Sequence, residues 1–323
     1  MRKTYHLCLS SHDEVMFRDE ADLNMGFNCL ALAVLETESR LLGEGFLTTH
    51  HHSLVQTDNF REVMRKSRYA YSRFFNNKYH RGGRLGEKLF FSLEVEGLHH
   101  ITAALNYVLR QGMHHGLADT PFGYPHGSAN SFFRAQLGKG QIPELISDYK
   151  RSRYLPSNVS VPERYRMTSS GLLLREDIVD VAYVEEIYRS AHNFLFQMNR
   201  PSDDKDLQKQ AQENDTPAVT METIENGVPG FSLQEARAAE FGKVNRSVMT
   251  DLELCAFIDG TLVPRLMRGS QPASIYLIPE SKRAQICESL WKESLQMRYH
   301  SDSHSFFAGR YVTEAQLRRC LCV

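Results

Sequence analysis

His50, His51 and His52 stand in a row, and Tyr107 and Gln111 follow further along, one helical turn apart. If residues 44–57 are extended, as Phe46, Leu47, Leu54 and Val55 allow, side chains two apart share a face. His50 and His52 then project together, and His51 points to the opposite side. Residues 98–113 carry Ile101, Ala104, Leu105, Val108 and Leu109 at helical spacing, which sets Tyr107 and Gln111 at i and i+4 on one flank. Two neutral imidazoles and an amide oxygen leave a divalent cation, Mg²⁺ or Mn²⁺, with open positions for water and phosphate oxygens. A phenol beside such an ion has the chemistry of a nucleophile toward a phosphodiester. The chain holds 14 histidines, so a surface histidine cluster with Tyr107 as a core aromatic satisfies the same spacing. The elements that carry these residues therefore matter.

A first strand is expected near residues 3–9, then a helix over 21–40 with Leu23, Phe27, Leu30 and Val34 on one face. Two short strands follow at 45–49 and 50–57, then a helix over 59–79 and, after the Gly82-Gly83 turn, a strand at 89–95. The tyrosine helix comes next. Strand-helix-strand-strand-helix-strand is the order of an α+β, ferredoxin-like sandwich, whose antiparallel sheet keeps one face open for a ligand.

The net charge of −1 averages unlike regions. Between residues 61 and 88, Arg61, Arg65, Lys66, Arg68, Arg73, Lys78, Arg81, Arg84 and Lys88 meet only Glu62 and Glu87 as acids in the sequence. The same stretch holds Tyr69, Tyr71, Phe74, Phe75 and Tyr79, and cations interleaved with aromatics suit a single nucleic-acid strand. Phe60, Met64, Ser67, Tyr71, Phe74 and Phe75 also follow helical spacing and read as core, which leaves the cations as the DNA-facing surface.

In order and spacing, residues 5–133 resemble the REP-associated tyrosine transposase family of single-tyrosine HUH transposases. The residues that carry the resemblance are Thr49-His50-His51-His52-Ser53, the run Tyr107-Val108-Leu109-Arg110-Gln111-Gly112-Met113-His114-His115-Gly116, and Tyr71-Ser72-Arg73-Phe74-Phe75-Asn76. Gly83-Arg84-Leu85-Gly86-Glu87 and Pro121-Phe122-Gly123-Tyr124-Pro125-His126-Gly127-Ser128 add to it. His51 stands where the family packs a hydrophobic side chain, and Thr49 stands where it has Asn. Gln111-Gly112 replaces the Asn-Pro of many members, while Gln one turn after the tyrosine matches other single-tyrosine transposases. The resemblance implies Tyr107 as nucleophile, His50, His52 and Gln111 as holders of Mg²⁺ or Mn²⁺, and single-stranded or hairpin DNA as partner. It implies cleavage through a 5′-phosphotyrosine, by a monomer or a homodimer. A DNA-hairpin-binding regulator that has lost catalysis, and an HUH nuclease of replication or conjugation, remain the alternatives.

Residues 1–133 are thus expected to form the HUH domain, 134–166 a proline-bearing connector, and 167–323 an all-helical domain. Helical spacing is expected over 179–198, and residues 201–216 are polar and read as an exposed loop. Ser232-x-x-Glu235, Thr250-x-x-Glu253 and Thr313-x-x-Gln316 have the form of capping boxes. Residues 275–322 have the outline of a helix-turn-helix that would present Gln316, Arg318 and Arg319 to DNA, or of a plain helical hairpin. His300 and His304 are separated by Ser-Asp-Ser and read as a polar loop. The six cysteines include no C-x-x-C pair and are expected to be reduced, buried thiols. No run of 18 apolar residues and no leader-like segment is read, so the expected location is cytoplasmic, at the nucleoid.

Overall fold

The computed structural model describes residues 2–140, 143–155, 159, 161–199, 248–269, 271–297, 305–307 and 309–323. The chain is a mixed α+β protein built on a four-stranded antiparallel sheet. Its elements are β1 (Lys3–Ser10), α1 (Glu20–Glu36), β2 (Arg40–Phe46), β3 (His50–Thr57), α2 (Phe60–Tyr79), β4 (Phe91–Val95) and α3 (Gly97–Leu109). The strand order is β2-β3-β1-β4. Local chemistry sets the helix starts: Asp19 accepts from the Asp22 amide at 2.9 Å, and Asn59 accepts from the Glu62 amide at 3.1 Å. His80, at φ 53°, closes α2 in the left-handed conformation.

Strand alternation sorts the side chains into two layers. On one face Leu7, Leu9, Phe46 and Val55 pack with Phe27 and Leu30 of α1 and Val63, Met64, Tyr71 and Phe75 of α2 in one buried core. On the other face lie His6, Cys8, His50 and His52. The sequence suggested that this second face stays open. Instead α3 lies across it, and Cys8, Tyr107 and Val108 form a small buried cluster there. Two glycines of β2 allow that close approach. A Cβ on Gly45 would stand 2.9 Å from the Val108 carbonyl oxygen, and one on Gly43 would meet Leu109 and Leu105 at 3.1 and 3.3 Å.

The expected helix over 98–113 is broken. Arg110 leaves helical geometry at ψ 8°, and a single turn, α4 (Gln111–His114), follows. Gly112 at this break lets Tyr124 come close, since a Cβ there would be 2.2 Å from the tyrosine ring. The outer edge of β2 is not bare either. Gly45 bridges Gly127, Leu41 bridges Val179, and the Tyr124 hydroxyl donates to the Phe46 carbonyl at 2.6 Å.

The first core takes in residues beyond 167. After a single turn, α5 (Asp148–Arg151), residues Tyr165, Met167 and Leu173 join the first core. So do Val184 and Tyr188 of α6 (Val181–Tyr188) and Phe194 and Met198 of α7 (Ala191–Asn199). These segments are too short to bury an apolar face alone, so they dock on the sheet and α3. A second core gathers Met249, Leu254, Ile258, Ile275, Leu290, Phe307, Leu317 and Leu321. Its described elements are helical: α8 (Asp251–Phe257), which runs through the π-turn Ile258–Leu262 into Val263–Leu266, α9 (Glu280–Met297) and α10 (Glu314–Leu321). Thr250/Glu253 and Thr313/Gln316 form full capping boxes. Sixteen positions separate α9 from α10, from 298 to 313, which is longer than the turn of a helix-turn-helix unit. The expected cap at Ser232, the loop at 201–216, and His300 and His304 lie outside the described residues.

The loop between β1 and α1 joins the two cores. Val15 is buried in the second core, while Met16 and Phe17 are buried in the first. Arg18, fully buried, donates to Asp259 at 2.8 and 2.9 Å and to the Cys320 carbonyl at 2.9 Å. Among the described residues no helix is long and apolar enough to cross a membrane. Five of the six cysteines are buried, all six are free, and Cys322 is half-buried.

Candidate functional site

β3 delivers His50 and His52 to the face covered by α3. Their rings are 5.1 Å apart and nearly perpendicular, and the His52 ring is 5.0 Å from the ring of Tyr107. Period-two alternation and helical spacing thus converge on one site. Gln111 folds back so that its Nε2 donates to the Tyr107 carbonyl at 3.0 Å. Its amide lies against His50, where it favours the charged imidazole.

Each of the two histidines is oriented through Nδ1. His52 Nδ1 is 3.0 Å from His6 Nε2, and His50 Nδ1 is 3.0 Å from Thr49 Oγ1. The Nε2 atom of His52 is 3.9 Å from Cys8 Sγ. Burial holds the imidazoles neutral. His50 is pulled down to about 3, with added repulsion from His51 and His114, and His6 to about 3 by burial alone. His52 and His115 are also driven well below the usual histidine range by burial. Neutral imidazoles are what metal ligation requires. Among the described residues no group of three His, Cys, Asp or Glu side chains could hold a metal ion. An ion here would rest on His50, His52 and the Gln111 amide.

The site is closed. Tyr107 and Gln111 are each 1% exposed, and His52 is fully buried. His51, in contrast, lies on the far face, stacked on Phe46 at 4.7 Å and 9°. It does not intrude between His50 and His52. His115 joins the cluster, 5.2 Å from the His50 ring, and His114 is 6.2 Å from Tyr107. His126 does not join it: its Nε2 is 3.3 Å from Glu20 Oε1, and burial lowers it to about 4.

His6 and Cys8 were missed in the sequence. The signal was present in β1, where Cys8 and His6 alternate and where Cys8 pairs in register with His52. Of the expected DNA-facing cations, three meet acids from other segments and a fourth an acid one turn away on its own helix. Arg65 pairs with Glu62, Lys66 with Glu36, Lys78 with Asp19 and Asp22, and Arg81 with Glu14. Arg68 donates to the carbonyls of Leu85, Gly86 and Glu87. The excess of positive charge read between 61 and 88 is therefore partly compensated by acids from other segments. Arg61 and Arg73 stay exposed, over the rings of Phe60 and Tyr69, and Arg84 and Lys88 are exposed as well. Helix α2 packs on the face opposite Tyr107. Arg318 pairs with Glu314 at 2.8 Å on the surface of α10, whereas Arg319 is half-buried and its charge is felt at His50 and His115.

No protein-family model matches the chain, and no curated protein matches it. Among solved structures, it is similar to one described as a REP-associated tyrosine transposase bound to a REP hairpin. The identity is 11% and the TM-score 0.36, over 44% of this chain and 82% of that one.

Proposed function

We propose that the chain is a single-strand DNA endonuclease and strand transferase, transposase-like, that works through a 5′-phosphotyrosine at Tyr107 with Mg²⁺ or Mn²⁺. The observation that carries this reading is the meeting of His50, His52, Gln111 and Tyr107 from two separate elements, with His52 and Tyr107 at 5.0 Å. The element order and the β2-β3-β1-β4 sheet agree with a ferredoxin-like arrangement of the first unit.

The donor set fits a hard divalent cation. Nδ1 contacts to His6 and Thr49 fix both rings, the outer-shell pattern of histidine ligands, and an ion would be taken through Nε2, that of His52 in place of its contact with Cys8 Sγ. When bound, such an ion would polarise the scissile phosphate as a Lewis acid. The chain's own part is nucleophilic. Tyr107 Oη attacks phosphorus in line and loses its proton; the bond to the 3′-oxygen breaks, and that oxygen leaves as a hydroxyl once protonated. One phosphoester replaces another, so a second 3′-hydroxyl can reverse the step and join strands without ATP. A strand reaches Tyr107 only when the cover opens, and the Arg110 break between α3 and α4 supplies a joint for that.

The test is incubation with labelled single-stranded hairpin DNA, including the gene's flanking sequences, with Mn²⁺ and with chelator. A denaturation-resistant adduct is expected, dependent on metal and absent in Tyr107→Phe, which keeps the ring and lacks the nucleophile. An adduct formed by Tyr107→Phe at the wild-type rate refutes the assignment. The 1% exposure of Tyr107 favours one second reading, hairpin binding without cleavage, which predicts binding indifferent to Mn²⁺.

A further inference from the structure

Two positions apart on β1, His6 and Cys8 share the covered side of the sheet with His52. Cys8 pairs in register with His52 and His6 with Leu54, so the His6 ring meets His52 on the diagonal. His6 is fully buried. Its ring centre stands 5.1 Å from that of His52, 5.5 Å from Phe91 and 5.6 Å from Tyr107, against both the expected ligand and the expected nucleophile. Its Nε2 is 3.0 Å from His52 Nδ1, whereas its own Nδ1 is closed to solvent and has no hydrogen-bond partner among the described residues. On the other side of His52, Nε2 is 3.9 Å from Cys8 Sγ.

A neutral imidazole carries one proton, so only one of two facing ring nitrogens can donate. Two arrangements satisfy the 3.0 Å contact. In the first, His6 Nε2–H donates to His52 Nδ1, the His52 proton sits on Nε2 toward Cys8 Sγ, and His6 Nδ1 is an unfilled acceptor. In the second, His52 Nδ1–H donates to His6 Nε2, His52 Nε2 carries a lone pair, and the His6 proton sits on Nδ1, where no acceptor meets it. Buried donors without an acceptor are rarer than buried acceptors without a donor, which makes the first the resting arrangement. Only the second can offer His52 Nε2 to a cation, because the hydrogen bond at one ring nitrogen decides what the other can do.

We propose that His6 is a positioning residue that sets the tautomer of His52, and that capture of a cation exchanges the tautomers of both rings. This rests on the reading of His50, His52 and Gln111 as the holders of a divalent cation. The proton between the rings crosses from His6 Nε2 to His52 Nδ1; His52 gives its Nε2 proton to water as the cover opens, and His6 takes one from water at Nδ1. The pair keeps two protons and stays neutral. The unpartnered Nδ1 is what allows the exchange, since a fixed donor or acceptor there would hold His6 in one form.

The experiment records ring-nitrogen NMR spectra of the full chain labelled in histidine, metal-free and with Mg²⁺, and measures Mn²⁺ affinity and melting temperature for the wild type, His6→Leu and His6→Gln. In the metal-free wild type both rings are expected to carry the proton on Nε2, and with Mg²⁺ on Nδ1. His6→Leu is expected to weaken Mn²⁺ binding about 10–100-fold, the usual effect of losing the partner of a histidine ligand, without a fall in melting temperature, because it removes an unpartnered buried nitrogen. His6→Gln, whose carbonyl oxygen can accept from His52 Nδ1–H, is expected to recover part of the affinity. A His52 proton already on Nδ1 in the metal-free wild type overturns the proposal. So does wild-type affinity in His6→Leu, or a loss that follows melting temperature and is the same in both variants. If the wild type takes no Mn²⁺ and Mg²⁺ leaves its spectra unchanged, the metal reading and the exchange fail together. The metal-free spectra then decide the positioning role alone: loss of the fixed His52 Nε2 tautomer in His6→Leu supports it, and an unchanged His52 overturns it.

Discussion

Replacing His51 by leucine should stabilise this protein, and more so in acid. The ring is 4% exposed, stacked on Phe46, with the edge of Phe17 at 6.4 Å, and neither nitrogen has a hydrogen-bond partner among the described residues. A buried polar group without a partner costs about 1–3 kcal/mol, and leucine fills a similar volume without that cost. A gain of about 2 kcal/mol at pH 8 is expected, or about 3 °C in melting temperature for a chain of this size. Burial also lowers His51 to about 4, against 6.5 for the free side chain. Below pH 6.5 the unfolded chain therefore binds a proton that the folded chain refuses, and stability falls by about 1.4 kcal/mol per pH unit until pH 4. By pH 5 this residue alone has removed about 2 kcal/mol from the wild type and nothing from His51→Leu. The neighbouring His50 and His52, which burial keeps well below the usual histidine range, stay neutral in both folded proteins between pH 8 and pH 5. Urea unfolding followed by circular dichroism at pH 8 and pH 5 measures the gap, which should grow from about 2 to about 4 kcal/mol. A gap that is negative at pH 8, or equal at the two values, refutes the reasoning.

Two further outcomes follow from the packing. Gly45→Ala puts a Cβ 2.9 Å from the Val108 carbonyl oxygen, so α3 must shift outward; thermal unfolding should register a loss of about 1–3 kcal/mol, and adduct formation should fall with it. Asp259→Ala leaves the Arg18 guanidinium buried with only the Cys320 carbonyl as a strong acceptor; a loss of about 3–5 kcal/mol is expected in urea unfolding, and Arg18→Met in the same background should return part of it.

Much of the site's logic was legible along the chain because it depends on local periods. Alternation in β3 set His50 and His52 on one face and His51 on the other, and the spacing of Ile101, Ala104, Leu105 and Val108 marked the helix that bears Tyr107. The capping boxes at Thr250 and Thr313 were equally local. What the sequence left hidden depends on partners distant in the chain. Lys78 and Arg81 looked free beside their neighbours, yet they meet Asp19, Asp22 and Glu14 across the fold. The cover over the second sheet face depends on how closely α3 can approach, which only the backbone contacts at Gly43 and Gly45 reveal. The break at Arg110 had a local sign in Gly112, but the reason for that glycine is Tyr124, met in space.

The run from Val15 to Arg18 has a consequence for the order in which a ribosome would see this protein assemble. Val15 fills the second core, and Arg18 binds Asp259 and the Cys320 carbonyl. All of those partners lie more than 200 residues further along the chain and are made later. A nascent chain that has already closed its sheet must therefore hold an apolar side chain and an uncompensated guanidinium in the open until residue 321 has emerged. During that interval the half-made protein is most exposed to wrong partners. Emergence of the residues through 321, rather than completion of the first unit, is the event that should mark the onset of protease resistance in the 10–19 loop.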